Sequence, residues 1–129
     1  MSAQSNLPMR DDLRVGSPFP DFELPDTSGQ RRRLLDILGQ YPGVLIFSRG
    51  AFCPKELRMH ANLAQFLQPE LYVNYCSLVT VMAADRLSVM ELRDSAGALW
   101  PFLVDADREL LYDLQMVDTT DERHGHIYI

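Results

Sequence analysis

Cys53-Pro54-Lys55-Glu56 is the part of this chain best equipped to do chemistry. The cysteine follows an apolar run, Val44-Leu45-Ile46-Phe47, and a short turn, Ser48-Arg49-Gly50-Ala51-Phe52. Pro54 suits the first position of a helix, because its missing N–H would be unpaired there in any case. Cys53 is then the N-cap, with the backbone N–H groups of Lys55 and Glu56 facing the sulfur. A helix N-terminus and a nearby cation both favour thiolate over thiol, and the thiolate is the nucleophile. Lys55, the only lysine of the chain, supplies positive charge beside it. Glu56 falls at the third helical position, from which its carboxylate can reach back to the N–H of Cys53. Its negative charge opposes the thiolate unless a cation compensates it, and Arg49 and Arg58 are the nearby candidates. The plainer reading makes Cys53 a small buried hydrophobe after a strand. The order strand, cysteine, proline, helix favours a reactive thiol.

The elements that must position this thiol follow from the apolar pattern. Residues 44–47 form a continuous apolar run, as in a buried parallel strand. After Pro54 the period changes: Leu57, Ala61, Ala64 and Leu67, with Leu63 and Phe66 alongside, predict an amphipathic helix that ends before Pro69. Upstream, 22–24 predicts a short strand, 26–29 a turn, and 33–38 a return strand running into one helical turn. Downstream, 71–82 predicts the next buried strand, with Cys76 inside it. Asp85 is placed to cap a helix over 86–93 whose inner face is Leu87, Val89 and Met90. Residues 101–104 predict a strand, Asp105 and Asp107 the cap of a helix over 108–114, and 124–129 a terminal apolar strand. Strands alternating with helices predict one α/β domain around a central, partly parallel sheet. The polar residues 1–14 are expected to be a flexible leader, which leaves 15–129 as the domain.

Composition narrows the function classes. A hydrophobic content of 47% and a charged content of 23% are ordinary for a soluble globular domain. The formal net charge of -6 offers no electrostatic footprint for nucleic acid or an anionic membrane, and neither is an expected partner. Arg31-Arg32-Arg33 is a local basic run that reads as a solvated turn or strand edge. Two cysteines, Cys53 and Cys76, make no disulfide framework. No stretch has the apolar core of a signal peptide or the length of a membrane span, so a reducing, cytoplasmic setting is expected. His124 and His126 alternate on one strand face and, with His60, could ligate a metal; a surface pair is the preferred reading, with no metal or cofactor expected. His60, seven residues after Cys53, is assigned to the helix surface, and Trp100, Met82 and Met90 to packing.

Several segments, in order, resemble the thioredoxin-fold peroxiredoxins of the alkyl hydroperoxide reductase/thiol-specific antioxidant group. Val15-Gly16-Ser17-Pro18-Phe19-Pro20-Asp21-Phe22-Glu23-Leu24-Pro25-Asp26 is similar to the family's opening segment, and Gly29 with Leu34 and Leu35 to its first hairpin. Phe47-Ser48-Arg49-Gly50-Ala51-Phe52-Cys53-Pro54 resembles a Phe-Tyr-Arg-Gly-x-Trp-Cys-Pro motif, and Cys53-Pro54-Lys55-Glu56 the Cys-Pro-Thr-Glu around the peroxidatic cysteine. Residues 101–117 resemble the Pro-Leu-Leu-Ser-Asp segment and the helix after it. The resemblance spans residues 15–129. It implies a thioredoxin-like fold, a central mixed sheet flanked by helices, here with shortened C-terminal elements.

For function, the resemblance implies that Cys53 attacks the peroxide O–O bond and becomes a sulfenic acid. Arg108 would face thiolate and peroxide, with Arg49 as the alternative, and Glu56 would orient the arginine. Gly50 stands where many members have Thr or Ser, although Ser48 is close by, and Ile46 stands where they have Pro. Glu56 occupies a place where one branch carries a second cysteine, which excludes dithiol exchange. Cys76 is read as a buried structural residue rather than a resolving one. The expected activity is a one-cysteine thiol peroxidase acting on hydrogen peroxide or organic hydroperoxides. Its reductant would be an external thiol such as thioredoxin, glutaredoxin or glutathione. Missing C-terminal elements would expose a sheet edge and invite pairing as a homodimer. Two alternatives remain open: a degenerate thioredoxin-fold module that binds a protein partner, and a monothiol disulfide oxidoreductase.

Overall fold

The structure is a computed structural model of the 129-residue chain. It describes residues 15–16, 18–48, 50, 54–114, 117–118 and 126–127, the last four as backbone. Cys53 and Arg49 lie outside the described residues, as do the leader and His124.

The chain enters through a hairpin of β1 (Glu23–Pro25) and β2 (Arg31–Arg33), paired antiparallel. The turn between them is organised by Asp26, whose carboxylate accepts from Ser28 N at 2.9 Å, Ser28 Oγ at 2.6 Å and Gln30 N at 3.1 Å. The three arginines of β2 are each ion-paired: Arg31 with Glu23, Arg32 with Asp26 and Arg33 with Asp21. Asp21 also accepts from Leu35 N at 3.1 Å and so caps α1 (Leu34–Leu38). Partial burial alone would raise the Asp21 pKa. The hydrogen bonds from Arg33 and Leu35 outweigh it and hold the carboxyl below its ordinary value.

Three parallel strands form the centre, in the order β3 (Gly43–Ser48), β4 (Ser77–Met82), β5 (Phe102–Val104). An antiparallel bridge between Asp26 and Leu103 joins the hairpin to β5, which makes the assembly mixed in direction. Alternation along the strands sends side chains to two cores. One holds Phe47, Val79, Val81, Leu103, Leu111 and Leu114; the other holds Leu78, Met82, Val89, Leu92, Trp100, Phe102 and neighbours. The second core is covered by α2 (Pro54–Asn62) and α4 (Arg86–Ala96). After β5 come α5 (Glu109–Asp113) and a two-residue antiparallel pair, β6 (Val117–Asp118) with β7 (His126–Ile127). No helix among the described residues is long and apolar enough to cross a membrane.

Pro54 opens α2 as predicted, but the helix does not stop before Pro69. A π-helical turn, Leu63–Leu67, carries it into α3 (Gln68–Val73), with Gln68 N bonded to Leu63 O. Proline lacks the N–H that an α-helix needs and clashes with the carbonyl four residues back. The wider turn before it relieves that conflict, and Pro69 sits at the start of the new segment. The predicted strand over 71–82 is shorter for the same reason, since residues 71–73 complete α3. A turn with Tyr75 at φ 56° then leads into β4. Cys76 therefore precedes the strand and is half-buried, not a strand-interior residue.

Two face assignments also change. On α4, Asp85 caps as predicted, accepting from Ser88 N at 3.2 Å, but Leu87 is exposed and the buried residues are Val89, Leu92 and Ala96. On α2, Leu57 is exposed, and the buried side chains of the helix are Glu56 and His60.

Candidate active site

The thiol segment, residues 49–53, leaves the carboxyl end of β3 and enters α2 at Pro54. Buried polar groups flank it on both sides. Ser48 is fully buried, and its Oγ has no hydrogen-bond partner among the described residues. It shares a strand face with Ile46, which packs into the core beneath α2 and α4. Gly50 is buried and has φ 149°, a conformation that L side chains rarely adopt. A glycine in place of the family's Thr or Ser thus matches the local backbone.

On the helix side, Glu56 is 9% exposed, and its Oε2 has no hydrogen-bond partner among the described residues. One turn later comes His60, 0% exposed, which corrects the surface assignment. Its Nδ1 lies 2.8 Å from the Glu56 backbone oxygen and 4.0 Å from Glu56 Oε2. Its Nε2 lies 3.2 Å from Thr80 Oγ1, which also accepts from Trp100 Nε1 at 2.9 Å. Thr80 is fully buried and Trp100 is 4% exposed, so Trp100 packs as predicted but also donates a hydrogen bond. The imidazole stacks on Trp100 at 6.2 Å and tilts against Phe102 at 5.1 Å between ring centroids.

The partners decide the tautomer. Nδ1 faces only oxygen acceptors on Glu56, so it carries a proton. In the neutral ring Nε2 then accepts from the Thr80 hydroxyl, whose oxygen in turn accepts from Trp100. Both ring nitrogens are engaged, so His60, weighed above as a metal ligand with His124 and His126, is committed to this network. Nothing is described of the His126 side chain, and His124 lies outside the described residues.

The spacing that signals the network was present in the sequence. Positions 53, 56, 60, 63 and 67 step by three, four, three and four, a single helical face. A glutamate and a histidine interrupt the apolar pattern of that stripe, so the neighbouring face through Leu57 and Ala61 reads as the buried one.

The same end of the sheet carries the β5–α5 connection. Asp105, 2% exposed, accepts from Leu110 N at 3.2 Å and Leu111 N at 3.1 Å, as expected of a cap. Burial raises its pKa above the ordinary value despite these bonds. Asp107 is exposed. Arg108 stands at the N-cap of α5, half-buried, with φ 60°. Both it and residues 49–53 follow carboxyl ends of parallel strands, β5 and β3, two strand spacings or about 10 Å apart. Ligands of open α/β sheets bind outside these carboxyl ends. Lys55 and Arg58 are exposed on α2. Cys76 lies at the opposite end of the sheet, beside Tyr41, Tyr72 and Tyr75.

The profile of the AhpC/TSA family matches residues 15–128. The chain belongs to the AhpC/TSA family. This agrees with the peroxiredoxin resemblance, and the AhpC/TSA domain seen here is an α/β, thioredoxin-like one. The crystal structure of peroxidoxin BcpB from Mycobacterium tuberculosis superposes with a TM-score of 0.75 at 21% identity, covering 95% of this chain and 75% of that one. A yeast mitochondrial 1-Cys peroxiredoxin, described with a thiol resolving mechanism via glutathione/thioredoxin systems, gives 0.69 at 24% identity, covering 91% and 55%. Among curated proteins, the thiol-disulfide oxidoreductase ResA of Bacillus subtilis is 29% identical over 117 residues, 86% of this chain. This AhpC/TSA chain spans 62% of the length of that relative.

Proposed function

We propose that this chain is a thiol-dependent peroxidase with Cys53 as its nucleophile. The observation that carries the reading is the β3–α2 junction. There a helix opens at Pro54 with a buried carboxylate in its first turn, at the sheet end where Arg108 also stands. The Cys53 thiolate attacks one peroxide oxygen, a sulfur–oxygen bond forms, and the O–O bond breaks. The sulfur is oxidised to a sulfenic acid, and the departing oxygen takes a proton to leave as water or an alcohol. Arg108, with Arg49, supplies the positive charge that stabilises the developing oxyanion. Ser48 offers the hydroxyl that position 50 lacks.

An external thiol then completes the cycle. It condenses with the sulfenic acid, releasing water and leaving a mixed disulfide, and a second thiol reduces that disulfide. The separation of Cys76 from Ser48, the last described residue of β3, supports this one-cysteine scheme. Ser77, next to Cys76, pairs with Gly43, while Ser48 pairs with Met82 at the far end of β4. Five strand steps separate them, about 16 Å, whereas a disulfide needs Cα atoms within about 7 Å. Thioredoxin, glutaredoxin or glutathione fits the role of reductant, in line with the glutathione/thioredoxin systems named for the yeast relative.

The similarity to the thiol-disulfide oxidoreductase favours one second reading, a monothiol enzyme acting on mixed disulfides. The test is stoichiometric oxidation by hydrogen peroxide, with sulfenic acid trapped by a dimedone-type reagent and read by intact mass. Oxidation orders of magnitude faster than a free thiol, lost in Cys53→Ser, is the expected outcome. Oxidation no faster than a free thiol, with rapid exchange against a glutathione mixed disulfide, would replace the peroxidase by the monothiol reading.

A further inference from the structure

A carboxylate in the first turn of α2 opposes a thiolate at the N-terminus of that helix, so a group that offsets it would favour the thiolate. Arg58, one of the cations considered for this, is exposed to solvent. Beneath the carboxylate stands His60 instead, fully buried, with its protonated Nδ1 4.0 Å from Glu56 Oε2. An N–H dipole this close to a carboxylate, in surroundings that exclude water, reduces the field the carboxylate projects outward. The rest of the ring's surroundings fix it in place. Thr80 on β4 holds Nε2, and Trp100 and Phe102, themselves in contact, pack against the imidazole; none of the three carries a charge. Among charged groups of the packed helix α4, Arg93 donates Nε to the Trp100 carbonyl at 2.9 Å, while Asp85 and Glu91 line a surface groove beside Leu57. Glu56 is thus the ionisable group that the imidazole meets among the described residues.

We propose that His60 is a positioning residue of the thiol site, acting through Glu56: it holds its Nδ1–H on the Glu56 backbone oxygen and turns that dipole toward the nearby carboxylate, so that the helix N-terminus can still support a thiolate at Cys53. This rests on Cys53 as the reactive thiol but not on the peroxide as its substrate. The two substitutions then act in opposite directions. Glu56→Gln removes the opposing charge and moves the thiol's titration midpoint down. His60→Gln leaves the carboxylate uncompensated and moves it up. In the double variant the His60 effect disappears, because nothing is left for it to offset.

The experiment is the pH dependence of Cys53 alkylation by iodoacetamide in the four proteins, each with Cys76→Ser to leave one thiol. Shifts of about 0.5–1 pH unit in the stated directions are expected, with the double variant matching Glu56→Gln. A folded His60→Gln protein with the wild-type profile, or one whose shift persists unchanged in the Glu56→Gln background, would overturn the proposal. Should His60→Gln fail to fold, the imidazole carbon–proton NMR signals of the Cys76→Ser protein and its Glu56→Gln variant are followed over the same pH range. The proposal requires the His60 ring signals to change in the Glu56→Gln variant across the pH range in which Cys53 ionises, and signals identical in the two proteins overturn it. The outcome is independent of the peroxide test: a coupled alkylation profile with slow peroxide oxidation would leave His60 in its role and remove the peroxidase.

Discussion

Thr80→Val probes the buried polar network directly. The substitution nearly preserves shape and replaces one hydroxyl by a methyl group. Thr80, His60 and Trp100 are 0%, 0% and 4% exposed, so water cannot take over the lost bonds. Two buried groups lose their partner: Trp100 Nε1, now 2.9 Å from Oγ1, and His60 Nε2, now 3.2 Å from it. Each buried polar group left unpaired costs about 1–3 kcal/mol, and the added methyl returns about 0.8 kcal/mol of apolar burial. The net loss is about 1–5 kcal/mol, a large share of the roughly 5–15 kcal/mol that holds a domain of this size. Urea unfolding followed by circular dichroism measures it, as a lower midpoint at unchanged slope. Trp100→Phe removes the orphaned donor, so the Thr80→Val loss should shrink by about 1 kcal/mol or more in that background. A Thr80→Val loss below about 0.5 kcal/mol, or strict additivity with Trp100→Phe, would refute the network as an energetic unit.

Four further outcomes follow from the carboxyl end of the sheet. Asp105 has a raised pKa in the folded state, so its protonated form favours folding. That contribution is complete below the unfolded value and is lost as pH rises through the folded one. Asp105→Asn stays neutral throughout, so its cost in urea midpoint should be larger near about pH 3 than near about pH 7; the reverse trend would refute the assignment. Arg108 holds φ 60°, a strained conformation for a side-chain residue, so Arg108→Gly should be more stable than Arg108→Ala by up to about 1 kcal/mol, while both slow peroxide oxidation of Cys53. Equal losses in stability and rate would mean that the arginine is structural. Ser48→Ala should leave stability unchanged, since its Oγ is unpartnered among the described residues, and slow oxidation by about tenfold. Gly50→Ser, at φ 149°, should instead cost about 1–3 kcal/mol without a gain in rate, read from the same unfolding and oxidation assays.

The sequence by itself determined the local events. A proline after a cysteine starts a helix because proline needs no N–H partner there, and α2 does begin at Pro54. An aspartate before a helical pattern caps it, as Asp85 does through Ser88. The continuous apolar run before the thiol lies in β3, a strand of the parallel sheet, and the order of motifs led to the AhpC/TSA family. These depend on neighbours in the chain, so they are legible in it. What the tertiary structure decided are the matters of partnership. Pro69 reads as a stop until a π-helical turn absorbs its missing bond. Leu57 and His60 exchange their expected places because a polar side chain can be buried wherever a distant residue satisfies it, and Thr80 and Trp100 come from other elements. Cys76 and Ser48 stand at opposite ends of the sheet because strand pairing, which no local pattern reports, sets the register of β3 on β4.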